Sequence, residues 1–364
     1  MPNRKKRRGR HIRRARRPHI PGTLLAALAV AALFYFAAPM LPAAPDAPET
    51  PAVSDHVTLP EDGDEQSAPV ADEPSDSVPA QALLEESAPP DGLPQTPQPV
   101  PPAAAVIKEI TIDGTGGEYP SSGAVYIQNR SKYDIDIASL LKLKDGVRLS
   151  GDQAQVLIMH THGTEAYTPD ESSAYTATDS SRTTDSNYNM LRVGAEIEKV
   201  LEANGIKTIH STVLNDSPAY SGSYSRALND ISAKLKANPS IKVVIDVHRD
   251  AMETNSGIRY KTVATVNGEQ VAQLMLVTGT NGGGLTHPNW KQNLAFQMKL
   301  QQRLNTRFPG IMRPMSIRNE RFNQHVTRGS MLLEVGTSGN TLNEALASAR
   351  IFARELSALL KERS

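Results

Sequence analysis

From Gln155 onward, short apolar runs alternate with longer stretches in which apolar residues recur every three or four positions. The short runs predict strands at Val156–Met159, Lys207–His210, Val243–Val247, Ile258–Val266, Gln270–Thr278 and Met331–Val335. The longer stretches predict helices at Tyr188–Asn204, Ser223–Ala237, Trp290–Arg307 and Leu342–Glu362. Asn267-Gly268, between two of the strand runs, is the strongest short hairpin signal. Strands alternating with long helices predict an α/β fold: a twisted, mostly parallel sheet flanked by helices, modified by that hairpin. In such sheets ligands collect at the carboxyl ends of the strands, where His160, His162 and His248 all fall.

Ahead of this region the pattern changes three times. Residues 105–152 carry alternating runs at Ile107–Ile112 and Ala124–Gln128 and a helix-like DIDIASLLKL, which reads as a lead-in packed on a main domain of residues 153–364. Residues 42–104 are dominated by Pro, Ala, Asp, Glu and Ser, too poor in apolar bulk to repay ordering, and are expected to form a disordered linker. Thr23–Leu41 contains no charged residue and has the length of a membrane-spanning helix.

Charge settles how that segment is read. Of the 39 Lys and Arg residues, ten lie between Arg4 and Arg17, so the formal net charge of zero hides a remainder that is acidic by ten. A basic block alone can bind nucleic acid, but directly before an apolar span it sets a cytoplasmic N-terminus, and no nucleic-acid partner is expected. The expected layout is a basic cytoplasmic segment (1–22), a single-pass anchor (23–41), and the remaining chain outside the cell membrane. A cleavable signal peptide is the rival reading of the same stretch, because small residues follow the apolar run. The chain has no cysteine, which removes disulfides, thiolate metal sites and cysteine nucleophiles.

The candidate chemistry sits on three apolar strands. QVLIMHTHGTEAY carries His160 and His162, IKVVIDVHRD ends near His248, and SMLLEVG carries Glu334. A catalytic zinc site needs about three protein ligands, an open position for water and a carboxylate to take the water's proton. His162 and His248 are the leading ligands, His160 competes for the first position, and Glu334 is the candidate general base. For the third ligand, Asp185 just ahead of a helix is preferred and Glu165 is the alternative. Asp246 or Asp250 is expected to orient His248, and Arg249 to bind a substrate carboxylate. Asn323 and Gln324 are further substrate-binding candidates. His210, His325 and His287 read as structural or rim positions.

These residues lie in motifs that resemble the stage II sporulation protein P family. The resemblance runs from about Ala124 to Ser364 through YIQNRSKYDIDIASLL, HTHGTEAY, NYNMLRVGAEIEKVLEANG, DSPAYSGSYSRA, VIDVHRDA, HPNWKQNLAFQMKL and FNQHVTRGSMLLEVGTSGNTLNEA. The family is in turn similar to zinc-dependent N-acetylmuramoyl-L-alanine amidases, in which a strand-end His, a helix-start acid, a second His and a late Glu follow in the same order. The resemblance implies peptidoglycan as substrate, hydrolysis of the muramoyl-alanine amide with a tendency toward stem-peptide cleavage, and action in engulfment alongside stage II sporulation proteins D and M. It also maps His162, His248 and Glu334 onto the two histidines and the catalytic acid. The chain departs from the amidases at the helix-start acid, where they place Glu and this chain offers Asp185.

Two other classes compete. A non-catalytic peptidoglycan-binding or scaffold protein needs no chemistry, yet has no reason to place Glu334 on an apolar strand. A serine hydrolase is disfavoured because GTSGN does not match G-x-S-x-G, and HExxH is absent.

Overall fold

A computed structural model describes residues 106–170, 181–254 and 258–363. The basic segment, the proposed anchor at 23–41 and the linker lie outside the described residues. Among those described, no helix is long and apolar enough to cross a membrane.

In chain order the elements are β1 (Val106–Ile110), β2 (Ser121–Ser122), β3 (Val125–Asn129), α1 (Ile137–Lys142), β4 (Val156–Met159), α2 (Met190–Ala203), β5 (Thr208–His210) and α3 (Ser223–Ala237). They continue with β6 (Val243–Asp250), β7 (Ile258–Val266), β8 (Glu269–Ala272), β9 (Leu274–Gly279), α4 (Trp290–Arg307), β10 (Met315–Arg318), β11 (Gly329–Thr337) and α5 (Leu342–Lys361). The main sheet has the order β2-β3-β10-β9-β11-β6-β4-β5, and a smaller sheet has the order β1-β7-β8. Within the main sheet β2·β3 and β9·β11 are antiparallel and the other neighbours are parallel. The lead-in supplies an interior strand, β3, of the main sheet.

The period of two along each strand decides what covers each face. Val156 and Ile158 of β4, Val243, Ile245 and Val247 of β6, and Met331, Leu333 and Val335 of β11 pack into one large core with Val193 and Ile197 of α2, Leu294 and Met298 of α4, and Phe352 and Leu356 of α5. The alternate residues face the other way. Leu157, Met159 and Val244 meet Ala227 and Ile231 of α3. Met275, Val277 and Leu332 form a small cluster with Phe322. Among the described residues α3, Val326 and Phe322 pack on this second face, and the parity that sends Val244 and Leu332 there sends Asp246, His248 and Glu334 there too.

Two differences from the sequence expectation have local causes. The single strand expected at Gln270–Thr278 is two strands in different sheets, broken at Gln273. Its side-chain Oε1 accepts from Ile112 N at 2.9 Å, and its Nε2 donates to Ile112 O at 2.9 Å and Gly310 O at 2.7 Å, fixing the crossover. The hairpin before it is as expected, with Asn267 and Gly268 both at positive φ (53° and 83°). β10 escapes the apolar pattern because MSIR is short and polar-interrupted, although Met315 and Ile317 are fully buried.

Candidate active site

Asp246 organises the turn that leaves β4. Its Oδ1 accepts from Thr161 N at 2.8 Å and its Oδ2 from Thr161 Oγ1 at 2.6 Å, which clamps His160-Thr161-His162 against β6. Two residues along the same strand face, His248 Nε2 lies 2.8 Å from Asp246 Oδ1. That contact is off the direction of a hydrogen bond, so it is a close ionic contact and Nε2 has no directed partner. His248 Nδ1 lies 3.5 Å from Glu165 Oε2. The His162 ring stands 5.4 Å from that of His248 at 83°, and its Nδ1 is buried without a partner. Glu334 on β11 is the register partner of His248 and also buries an oxygen, Oε2, without a partner. The structure thus brings His162, His248, Asp246, Glu165 and Glu334 to one place.

The electrostatics follow from burial with opposite charges close by. Burial disfavours the imidazolium of His248, but Asp246 and then Glu165 outweigh it and hold its pKa well above the ordinary value. Burial would raise Glu165, yet the hydrogen bond from His248 and the charge of Arg249 bring it down to about 2. His162 falls to about 4 through burial and the charge of His248. Glu334 is pushed up to about 8 by burial, with Asp250 and Glu165 adding to the rise and His248 and Arg313 opposing it.

His160 does not join this group. Its Nδ1 lies 3.1 Å from Val247 O, which as a carbonyl must accept, and its Nε2 lies 2.9 Å from Nε2 of His210 on β5. Both nitrogens are used, and burial lowers its pKa to about 3, so it is a neutral bracing residue. Room for the pair comes from Gly194 on α2, where a Cβ would stand 2.5 Å from His210 Nε2 and 2.7 Å from His160 Nε2.

Asp185 and Glu165, the two acids considered for the third ligand, lie in different settings. Asp185 is exposed, and its Oδ1 accepts from Asn187 N and Nδ2, each at 2.9 Å, in a local turn. Glu165 reaches His248 because the segment after His162 is paired with residues 181–189: Glu165 bridges Arg182 and Ala166 bridges Asn189. Arg182 then spans Glu165 Oε1 at 3.3 Å and Asp216 Oδ2 at 2.6 Å.

Three more of the expected site residues are engaged by neighbouring groups. Arg249, one residue out of phase with His248, donates from Nε to Ala166 O and from Nη2 to Ser181 O, each at 2.9 Å, and is a buried brace. Gln324 accepts from Gly279 N at 3.0 Å and donates to Val277 O at 2.7 Å, bracing the end of β9. Asp250 pairs with Arg313 Nη2 at 2.8 Å, which leaves Asp246 as the carboxylate against His248. Asn323 is half-buried and donates to Tyr224 O at 2.8 Å.

Sequence reasoning passed over two aromatic residues. Tyr220, 61% exposed, stacks on the His162 ring at 4.4 Å and 8°, and Tyr224 meets the same ring edge-on at 5.7 Å. Their only signal in the chain is the spacing of two tyrosines in DSPAYSGSYSRA.

Among the described residues, no group of three or more His, Asp or Glu side chains stands ready to hold a metal ion in its present arrangement. Buried imidazoles and carboxylates with unsatisfied atoms can nonetheless bind a cation or move a proton.

Comparison with known proteins agrees with the motif pattern. Among solved structures, the chain is similar to the N-acetylmuramyl-L-alanine amidase Ami1 from Mycobacterium smegmatis at 13% identity and a TM-score of 0.36, over 58% of this chain and 100% of that one. It is similar to the CwlD amidase of Clostridioides difficile, solved in complex with the GerS lipoprotein, at 11% identity and a TM-score of 0.33, over 57% and 98%. At scores of this size the likeness decides nothing about chemistry. The stage II sporulation protein P of Bacillus subtilis (strain 168) is 28% identical over 219 residues, which are 56% of this chain and 51% of that protein, so the chain spans about half the length of that relative. The family model of stage II sporulation protein P (SpoIIP) matches residues 95–357, which take in every element of the main sheet and all of the clustered histidines and carboxylates. By that match the chain belongs to the stage II sporulation protein P family.

Proposed function

We propose that this chain is a peptidoglycan hydrolase of endospore formation that cleaves the N-acetylmuramoyl-L-alanine amide with a bound divalent cation, zinc being the expected ion. The observation that carries the reading is the convergence of His162, His248 and Glu165 with Glu334 on one face of the sheet, where His162 Nδ1 and Glu334 Oε2 are buried without partners among the described residues. Leaving a carboxylate oxygen in that condition is costly and gives a purely binding protein nothing.

The donor chemistry fits a cation. Neutral imidazole and carboxylate are the zinc donors available to a chain without cysteine, and His248, held between two acids, would exchange its proton for the metal. His162, His248 and Glu165 would hold it, with Asp246 fixing His248 from behind. A bound zinc ion supplies an acidified water and polarises the scissile carbonyl.

The remaining work falls to the chain itself. Glu334, with its proton affinity raised by burial, takes the proton of the attacking water and returns it to the leaving amine. Tyr220 and Tyr224 shield His162 and present aromatic surface to whatever is bound there.

The same reading extends to the whole chain as proposal. It includes anchoring through residues 23–41 with the hydrolase on the wall side, further cleavage of stem-peptide cross-links, and action in engulfment with stage II sporulation proteins D and M. Release of soluble peptide from purified sacculi by the full chain tests the core of it. Release should stop with chelator and return with added zinc; release indifferent to chelator would overturn the metal assignment.

A further inference from the structure

Arg182 sits where three segments of the site meet. Residues 164–166 and 181–183 pair antiparallel, through Thr183 N to Thr164 O at 2.8 Å and Ala166 N to Ser181 O at 2.9 Å, so Arg182 lies directly across from Glu165. Its guanidinium reaches beyond that pair. Nη1 donates to Asp216 Oδ2 at 2.6 Å and to Thr164 Oγ1 at 3.0 Å, while Nη2 donates to Glu165 Oε1 at 3.3 Å. The Asp216 side chain is fully buried and that of Glu165 is 8% exposed, so one fork joins two carboxylates that are cut off from water. The shorter contact anchors the guanidinium, and the longer one steers Glu165.

Steering matters because a carboxylate turns easily about its last bond. Glu165 Oε2 accepts from Arg249 N at 3.2 Å and lies 3.5 Å from His248 Nδ1; with Oε1 engaged by Arg182, Oε2 is the oxygen that faces the imidazole. The same guanidinium reaches the aromatic residue over His162. Its Cζ lies 5.2 Å from the centre of the Tyr220 ring, which stacks on His162 at 4.4 Å. The main chain around Tyr220 is fixed by other groups: Arg226 donates to Asn215 O at 2.7 Å, to Ser221 O at 3.0 Å and to Ala219 O, and Ser223 N donates to Tyr220 O at 3.2 Å. Those bonds hold the backbone and leave the exposed ring to be held by what it touches. A brace such as Arg249 donates to backbone carbonyls, whereas the Arg182 fork acts on a side chain of the site itself.

We propose that Arg182 is a positioning residue: one guanidinium sets which oxygen Glu165 presents to His248 and holds Tyr220 on the His162 ring, so that two of the groups that would hold a cation are oriented together. The inference rests on the proposed metal site for what Glu165 does, but the seating of Tyr220 on His162 belongs to the metal-free chain and is tested there. Lysine at this position keeps the charge beside Asp216, yet has no planar fork to serve both carboxylates and no flat face for the phenol ring. Partners that orient metal ligands in this way typically change metal affinity about 10–100-fold.

The probe is zinc itself, titrated against a chromophoric chelator into the full chain as wild type, Arg182→Lys, Glu165→Gln and the double variant, with urea unfolding of each metal-free protein alongside. Arg182→Lys should weaken zinc about tenfold with little change in the unfolding midpoint. In the Glu165→Gln background it should cost about twofold or less, since the side chain it steers no longer ligates. Equal losses in the two backgrounds, or wild-type zinc affinity in Arg182→Lys, would overturn the assignment. Should Arg182→Lys fail to fold, Asp216→Asn removes the anchor while leaving the guanidinium, and the same comparison is read from it. Proton NMR of the histidine rings in the metal-free proteins gives the second reading. Stacking by Tyr220 should hold the His162 ring protons upfield, Tyr220→Leu should release them, and Arg182→Lys should move them part of the way in the same direction. His162 signals unmoved by Arg182→Lys would overturn the positioning role. A wild type that binds no zinc sinks the metal assignment alone, and the ring signals then decide the role of Arg182.

Discussion

Glu334 of β11 stands directly across from His248 of β6 in a parallel register, so their side chains leave the sheet on the same face. Among the described residues no neighbour satisfies Glu334 Oε2, which on the proposed reading leaves it for proton transfer. Glu334→Gln keeps the shape and removes the proton acceptor; turnover on sacculi is expected to fall by about 10²–10⁴-fold with zinc content unchanged.

The same substitution has an expected pH signature in the metal-free protein. With its folded-state pKa raised from 4.5 to about 8, Glu334 keeps its proton over a range in which the unfolded chain has lost it. Its contribution to stability therefore falls as pH rises between those values. Thermal melts of chelator-treated protein should show Glu334→Gln gaining on the wild type as pH rises through that window. A constant or shrinking difference would contradict the burial of an uncompensated carboxyl.

The two acids weighed for the third ligand are separable by metal analysis. Glu165→Gln is expected to lower zinc stoichiometry and activity together, whereas Asp185→Asn, which alters only an exposed turn, should leave both near wild type. The reverse outcome would restore Asp185.

His160 is expected to matter for stability and not for metal. Gly194→Ala should separate His160 from His210 even though alanine is the better helix former, with a net cost of about 1–3 kcal/mol in urea unfolding. Zinc content should not change. If it drops in step with stability, the pair belongs to the metal site.

Asp145 offers a test away from the chemistry. It accepts from Lys299 Nζ at 2.8 Å, Arg363 Nη1 at 3.0 Å and Val147 N at 2.9 Å, joining the lead-in to α4 and the residues after α5. Burial raises its pKa, but Lys299, Val147 N–H and Arg363 outweigh that and hold it below 3.8. Its stabilisation is therefore fully present above that value and lost as pH falls through the lower folded-state one. Asp145→Asn should cost about 1–3 kcal/mol at neutral pH, with the gap to wild type closing in acid.

Much of this arrangement was legible in the chain. Trp290–Arg307 and Ser223–Ala237 form helices with the bounds their periodicity predicts, and the apolar runs around His248 and Glu334 place both in strands, β6 and β11. Parity along β6 alone turns Arg249 away from His248. What the pattern could not carry were pairings between distant segments. The approach of Glu165 to His248 depends on the bridges to Arg182 and Asn189, and the contact of His160 Nε2 with His210 depends on β5 lying beside β4 under Gly194. The antiparallel insertion of β9 next to β11 depends on Gln273 handing the chain from one sheet to the other.

The most direct test is mass analysis of the fragments that the full chain releases from purified sacculi, with Glu334→Gln alongside. Wild type should yield stem peptides with a free L-alanine amine and glycan with an intact lactyl carboxylate, and the variant almost none. Absence of such peptides from the wild-type digest, or equal yields from the two proteins, would contradict amide hydrolysis at this site.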